Sequence, residues 1–116
     1  EALHERMALV HPAVFVRRRC YEKFGVFDLK YKSCMDRDLL LRMLTGGAKF
    51  QHISKPLVAY RMGGSSDKNY FKYTLPEGRE ISIKYGMPVW KANYKYYKGF
   101  VKFKIIGVLK NLGLRK

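Results

Sequence analysis

Apolar and polar positions along this chain fall into short patterned segments separated by glycine, proline and charge. Met7 to Val16 is an apolar run interrupted at His11-Pro12, and Ala13-Val14-Phe15-Val16 reads as a buried strand that stops at Arg17-Arg18-Arg19. Arg18 to Phe24 suits a short helix ended by Gly25, a residue that accepts the left-handed backbone of a helix end. A second helix is predicted to open between Ser33 and Asp36 and to close at Gly46-Gly47. Ala48 to Met62 alternates and holds β-branched residues around Lys55-Pro56, which predicts two short strands joined by a turn, or one long bent strand. Pro56 excludes regular central pairing there. Gly63-Gly64-Ser65-Ser66 is a loop, a third helix ends near Tyr85-Gly86, and Pro88 begins a tail. The sum is an α/β chain, a small mixed sheet with packed helices.

The tail has a pattern of its own. Trp90, Tyr94, Tyr97, Val101, Ile105, Val108 and Leu112 recur every three or four residues, which places them on one stripe of a helix. Lys91, Lys95, Lys98 and Lys102 flank that stripe. Such a helix either packs its stripe on its own domain or lies in an anionic headgroup region, aromatics at the interface and ammonium groups on lipid phosphates. Lysines interrupt every 20-residue window, so a bilayer-spanning segment is not expected. Residues 1–86 and 87–116 accordingly divide into a body and a basic aromatic amphipathic tail.

Charge sharpens the division. The chain of 116 residues carries a net +15, and residues 1–80 hold 15 basic and 9 acidic groups whereas residues 81–116 hold 9 basic groups and no acid. A segment of one sign calls for anionic partners: a membrane surface, nucleic acid or a nucleotide diphosphate. With 47% hydrophobic and 28% charged residues the chain can build one ordinary core. It opens on Glu1 and shows no signal-peptide pattern, which reads as a piece of something longer. Cys20 and Cys34 are too few for a disulfide framework or a zinc site, which favours a reducing cytoplasmic setting and a role as small core residues.

Candidate chemistry concentrates between Phe24 and Arg42, where Gly25-Val26-Phe27-Asp28 and Met35-Asp36-Arg37-Asp38 punctuate apolar sequence. Two acids open a Leu-rich helix. Read locally, Ser33-Cys34-Met35-Asp36 is a capping box, and Asp38 pairs with Arg42 one turn later. Read as chemistry, a carboxylate there could serve as a general base. His11 and His52 lack companions at ligand spacing and read as strand-end and strand-face residues.

Taken in order, His11-Pro12-Ala13-Val14-Phe15-Val16-Arg17-Arg18, Tyr21-Glu22-Lys23-Phe24-Gly25-Val26-Phe27-Asp28, Asp36-Arg37-Asp38-Leu39-Leu40-Leu41-Arg42 and Tyr60-Arg61-Met62-Gly63-Gly64-Ser65 resemble the C-terminal half of bacterial family-two glycosyltransferases. These are inverting enzymes of the GT-A fold that build cell-surface polysaccharides, and the resemblance covers residues 7 to 86. It implies Asp36 as catalytic base, with Met35 standing where the family usually has Glu. It implies Asp38 and Asp28 at the acceptor, and Arg61, Gly63, Gly64 and Ser65 in a loop over the donor. The nucleotide-binding half and the Mn²⁺- or Mg²⁺-binding acids of such an enzyme would lie in sequence absent here. Asp36-Arg37-Asp38 matches the family's metal-binding Asp-x-Asp string, but Ser33-Cys34-Met35 is not the apolar strand that string follows, so no metal ligand is assigned.

The implied function is transfer of a sugar from a nucleotide-sugar to a glycan or lipid-linked hydroxyl, at the inner face of the cytoplasmic membrane, by an enzyme of which this piece alone is inactive. Apolar surface left by the missing half would invite self-association. The alternative is a non-catalytic basic module, binding an anionic membrane through residues 90–113, or nucleic acid through lysines among Tyr94, Tyr96, Tyr97 and Phe100. Nucleic acid is the weaker partner, because Asp28, Asp36 and Asp38 would repel a phosphate backbone.

Overall fold

A computed structural model describes residues 11–59 and 69–113. Every regular element among them is helical. A 3₁₀ turn, His11–Ala13, leads to α1 (Arg18–Phe24) and α2 (Met35–Thr45). A π-helical turn, Tyr70–Thr74, runs directly into α3 (Leu75–Lys84), and α4 (Val89–Asn111) follows.

The α/β expectation, and with it the small mixed sheet of a GT-A half-domain, is overturned: the described residues contain no strand. Ala13 closes the 3₁₀ turn, and Val14 to Val16 continue as irregular chain. Residues 48–59 are likewise irregular and almost wholly exposed, while 60–62 lie outside the described residues. Both segments have the composition of strands, but a strand exists only where its N–H and C=O groups find a neighbouring ladder. No such neighbour lies beside them among the described residues. His11 and His52 are therefore not strand residues; the His11 ring meets Phe27 edge-on at 5.9 Å and His52 is exposed.

The helices fall where the pattern puts them, with their ends fixed by backbone chemistry. Gly25, at φ +85°, donates its N–H to the Tyr21 carbonyl at 2.9 Å and closes α1. Arg42 then fastens α1 to α2, donating through Nη1 to the Phe24 carbonyl at 3.2 Å and the Val26 carbonyl at 2.9 Å. Gly46 is needed for space, since a Cβ there would run into the Phe24 ring. At the end of α3, Met87 N–H reaches the Ser82 carbonyl at 2.9 Å around Gly86 at φ +96°, a Schellman closure. Pro88 starts the next helix immediately.

The core lies between α2, the loop before it and α3. Tyr31, Cys34, Leu40, Leu41 and Ile81 form one buried cluster, with Val14, Met35, Leu44 and Tyr85 packed around it. Asp38, Leu39, Leu40, Leu41 and Met43 are all buried, so α2 is covered on more than one face. α4 lies along α3 and the π turn through Ala92, Gly99 and an aromatic group: Phe103 stacks on Tyr70 at 5.0 Å and meets Phe71 edge-on at 4.8 Å. The tail thus belongs to the body along one of its faces.

Candidate functional site

The start of α2 is capped from another helix. Glu77, in the first turn of α3, accepts the Lys32 N–H through Oε1 at 2.8 Å and the Ser33 and Cys34 N–H groups through Oε2, each at 2.9 Å. The expected capping box is not what forms: Cys34 is the cap residue with no side-chain cap bond, and the Ser33 hydroxyl pairs with the Thr74 hydroxyl at 2.6 Å. One carboxylate takes three amides that a serine could not take together, and its charge suits a helix N-terminus. Asp36 is left out of the capping. Its Oδ1 accepts the neighbouring Arg37 N–H, at 2.7 Å.

Asp36 lines an open cavity of about 460 Å³ between α2, the π turn, α3 and α4. Arg37, Arg79 and Lys95 bring cationic groups to its lining, and Ser33, Thr74, Tyr70 and Tyr96 bring hydroxyls. Arg37 spans to α3, donating to the Gly78 carbonyl at 3.3 Å and to Ser82 Oγ at 2.9 Å. Burial lowers its pKa from the ordinary arginine value. Arg79 is anchored through Nε on Asn93 Oδ1 of α4 at 2.6 Å. Burial raises the Tyr70 phenol, keeping it a hydrogen-bond donor, and pushes the Cys34 thiol up to about 11, which removes it as a nucleophile at neutral pH.

Two residues along, Asp38 has the opposite fate. It is fully buried, and its carboxylate is used up by three donors: Arg42 Nη2, Lys84 Nζ at 2.7 Å and the Tyr85 hydroxyl at 3.0 Å. Burial alone would raise its pKa, but the bonds from Lys84, Arg42 and Tyr85 outweigh burial and hold it below the usual carboxylate range. Asp38, expected at the acceptor, instead ties α2 to the end of α3. The pairing with Arg42 is the one its spacing allows. Asp28, also expected at the acceptor, does not line the cavity; its Oδ1 accepts the Lys30 N–H at 3.0 Å in a local turn. Arg61, Gly63, Gly64 and Ser65 lie outside the described residues.

The Asp36-Arg37-Asp38 string does not fit a divalent cation. One acid is saturated by cations, and the residue between the two is itself a half-buried cation that reaches to α3. Among the described residues no cluster of three His, Cys, Asp or Glu side chains could hold a metal ion.

Glu77, Arg37, Arg79, Lys84 and Tyr85 shape this region without having been marked in the sequence. An acid in the first turn of a helix behind Pro76 is a visible signal, but it points to its own helix rather than to α2. Comparison with family models, with curated proteins and with solved structures finds no match for this chain.

Proposed function

We propose that this chain is the acceptor-side, base-bearing part of a family-two glycosyltransferase acting in cell-envelope polysaccharide synthesis. The observation that carries the reading is the unequal treatment of two neighbouring acids: Asp38 is sealed into an ion cluster, whereas Asp36 stands at a cavity lined by hydroxyls and cations. That lining suits a polyhydroxylated acceptor bearing phosphate, such as a lipid-linked glycan at the inner face of the cytoplasmic membrane. In the step proposed, the acceptor hydroxyl gives its proton to the Asp36 carboxylate as its oxygen bonds to the anomeric carbon. The bond from that carbon to the nucleoside diphosphate breaks on the opposite face, which inverts the centre. In this reading Tyr70 and Tyr96, which line the cavity, hold sugar hydroxyls, and Arg79 and Lys95 meet phosphate. The donor side and any divalent cation belong to residues beyond this cavity.

The test is sugar transfer by the protein that contains this chain, with a panel of nucleotide-sugars and Mn²⁺. Asp36→Asn is expected to cost about 10²-fold or more in transfer with donor binding and folding retained, the scale of a lost general base. Transfer at the native rate in that variant would remove Asp36 from the mechanism.

A further inference from the structure

Helix α4 has two apolar faces. At about 100° per residue, Ala92, Gly99 and Phe103 fall on one side, and this side packs on α3 and the π turn. Trp90, Tyr94, Tyr97, Val101, Ile105 and Val108 fall on the opposite side, continued by Leu112. All are more than half exposed, Trp90 to 72%. Among the described residues, therefore, nothing packs on the stripe: the body occupies the other face.

Charge says what covers it. No acid follows Glu80, and Lys98 and Lys102 run along one edge of the stripe with Lys104 near the other. Lys98 Nζ lies 5.7 Å from the centre of the Tyr94 ring, so cation and aromatic present themselves together. A second copy of this chain would bring another +15 against these lysines. Duplex nucleic acid would satisfy the lysines but leave Val101, Ile105 and Val108 in water. An anionic bilayer surface satisfies both at once, aliphatic groups at the acyl boundary, Trp and Tyr at headgroup level and ammonium groups on phosphates. No helix among the described residues is long and apolar enough to cross a membrane.

We infer that α4 is a surface-lying anchor that sets Trp90, Tyr94, Tyr97, Val101, Ile105 and Val108 into an anionic lipid interface, held there by Lys98, Lys102 and Lys104. The inference does not depend on sugar transfer. Ala92, Lys95 and Tyr96 carry the cavity on the other side of the same helix, so the docked protein holds it about 10 Å from the headgroups, one helix diameter.

Trp90 is the single tryptophan of the chain and sits on the stripe, so its emission reports docking directly. With the full chain and equimolar phosphatidylcholine–phosphatidylglycerol vesicles, the emission is expected to shift to the blue and to be quenched by brominated acyl chains. Phosphatidylcholine vesicles alone should bind at least about tenfold more weakly, since each lysine near an anionic surface is worth roughly fivefold in partition. Lys98→Gln with Lys102→Gln should lose more than about tenfold on the same basis. Val101→Glu with Ile105→Glu should abolish the shift while the far-ultraviolet circular dichroism stays native. Unshifted emission with the anionic vesicles would overturn the inference, as would equal binding to the neutral vesicles or undiminished binding by either double variant. A Trp90 response to duplex DNA but not to vesicles would assign the face to nucleic acid instead.

Discussion

At the scale of single residues, the division between Asp36 and Asp38 matters most, and Asp38 makes the firmer energetic prediction. Replacing it with Asn leaves Lys84 and Arg42 without a counter-charge at a fully buried position. Breaking a buried pair costs about 3–5 kcal/mol, and because both cations keep some contact with water the loss expected here is nearer 2–3 kcal/mol. The pH dependence follows from the direction of the shift. Asp38 has a folded pKa below its ordinary value of 3.8, so its stabilisation is complete above that value and fades as pH falls through the folded pKa. Urea midpoints measured across this acid range should fall for the native chain and should respond less in Asp38→Asn. The two acids look alike in sequence, and spacing alone allowed an Asp38–Arg42 pair. The contributions of Lys84 and Tyr85, more than forty positions away, were not legible.

At the scale of elements, the helix stops were readable because glycine and proline act locally, whereas the start of α3 at Leu75 was not. Gly25, Gly46-Gly47, Gly86 and Pro88 mark the ends of α1, α2 and α3 and the start of α4. The cap of α2 was not readable, because the carboxylate that serves it comes from α3. Glu77→Ala should therefore act on α2 although it lies on another helix. A loss of about 1–2 kcal/mol is expected from the freed amides and the lost charge at the helix N-terminus, measured by equilibrium denaturation. Amide exchange should quicken first at Lys32, Ser33 and Cys34. The missing strands have the inverse cause. Val14 to Val16 and residues 48–59 have β-type composition, but pairing is a property of two segments, and a single segment cannot disclose whether its neighbour is there.

At the scale of the whole molecule, a radius of gyration of 15.9 Å exceeds the value of about 13 Å for a compact chain of this length. The described structure extends over 50 × 35 × 25 Å, with the long helix α4 packed along one face only. Its two faces should respond differently to change. Phe103→Ala, on the packed face, removes ring contacts with Tyr70 and Phe71 and is expected to lower stability by about 1–2 kcal/mol. Val101→Ser, on the open stripe, should stay within about 0.5 kcal/mol of native in solution, as surface changes do. Thermal melts of the two variants without lipid would check the contrast. The sequence by itself determined the four helices, the glycines and proline that end α1, α2 and α3 and open α4, the stripe on α4 and the acid-free charge of the tail, because each depends on residues within a few turns of one another. Only the tertiary structure decided that the β-patterned segments stay unpaired among the described residues, that Glu77 caps α2, that Asp38 is spent on Lys84, Arg42 and Tyr85, and that α4 packs by the face opposite its stripe. Those outcomes depend on which groups from distant positions compete for the same amides, charges and buried area, and that competition is settled only when the elements meet.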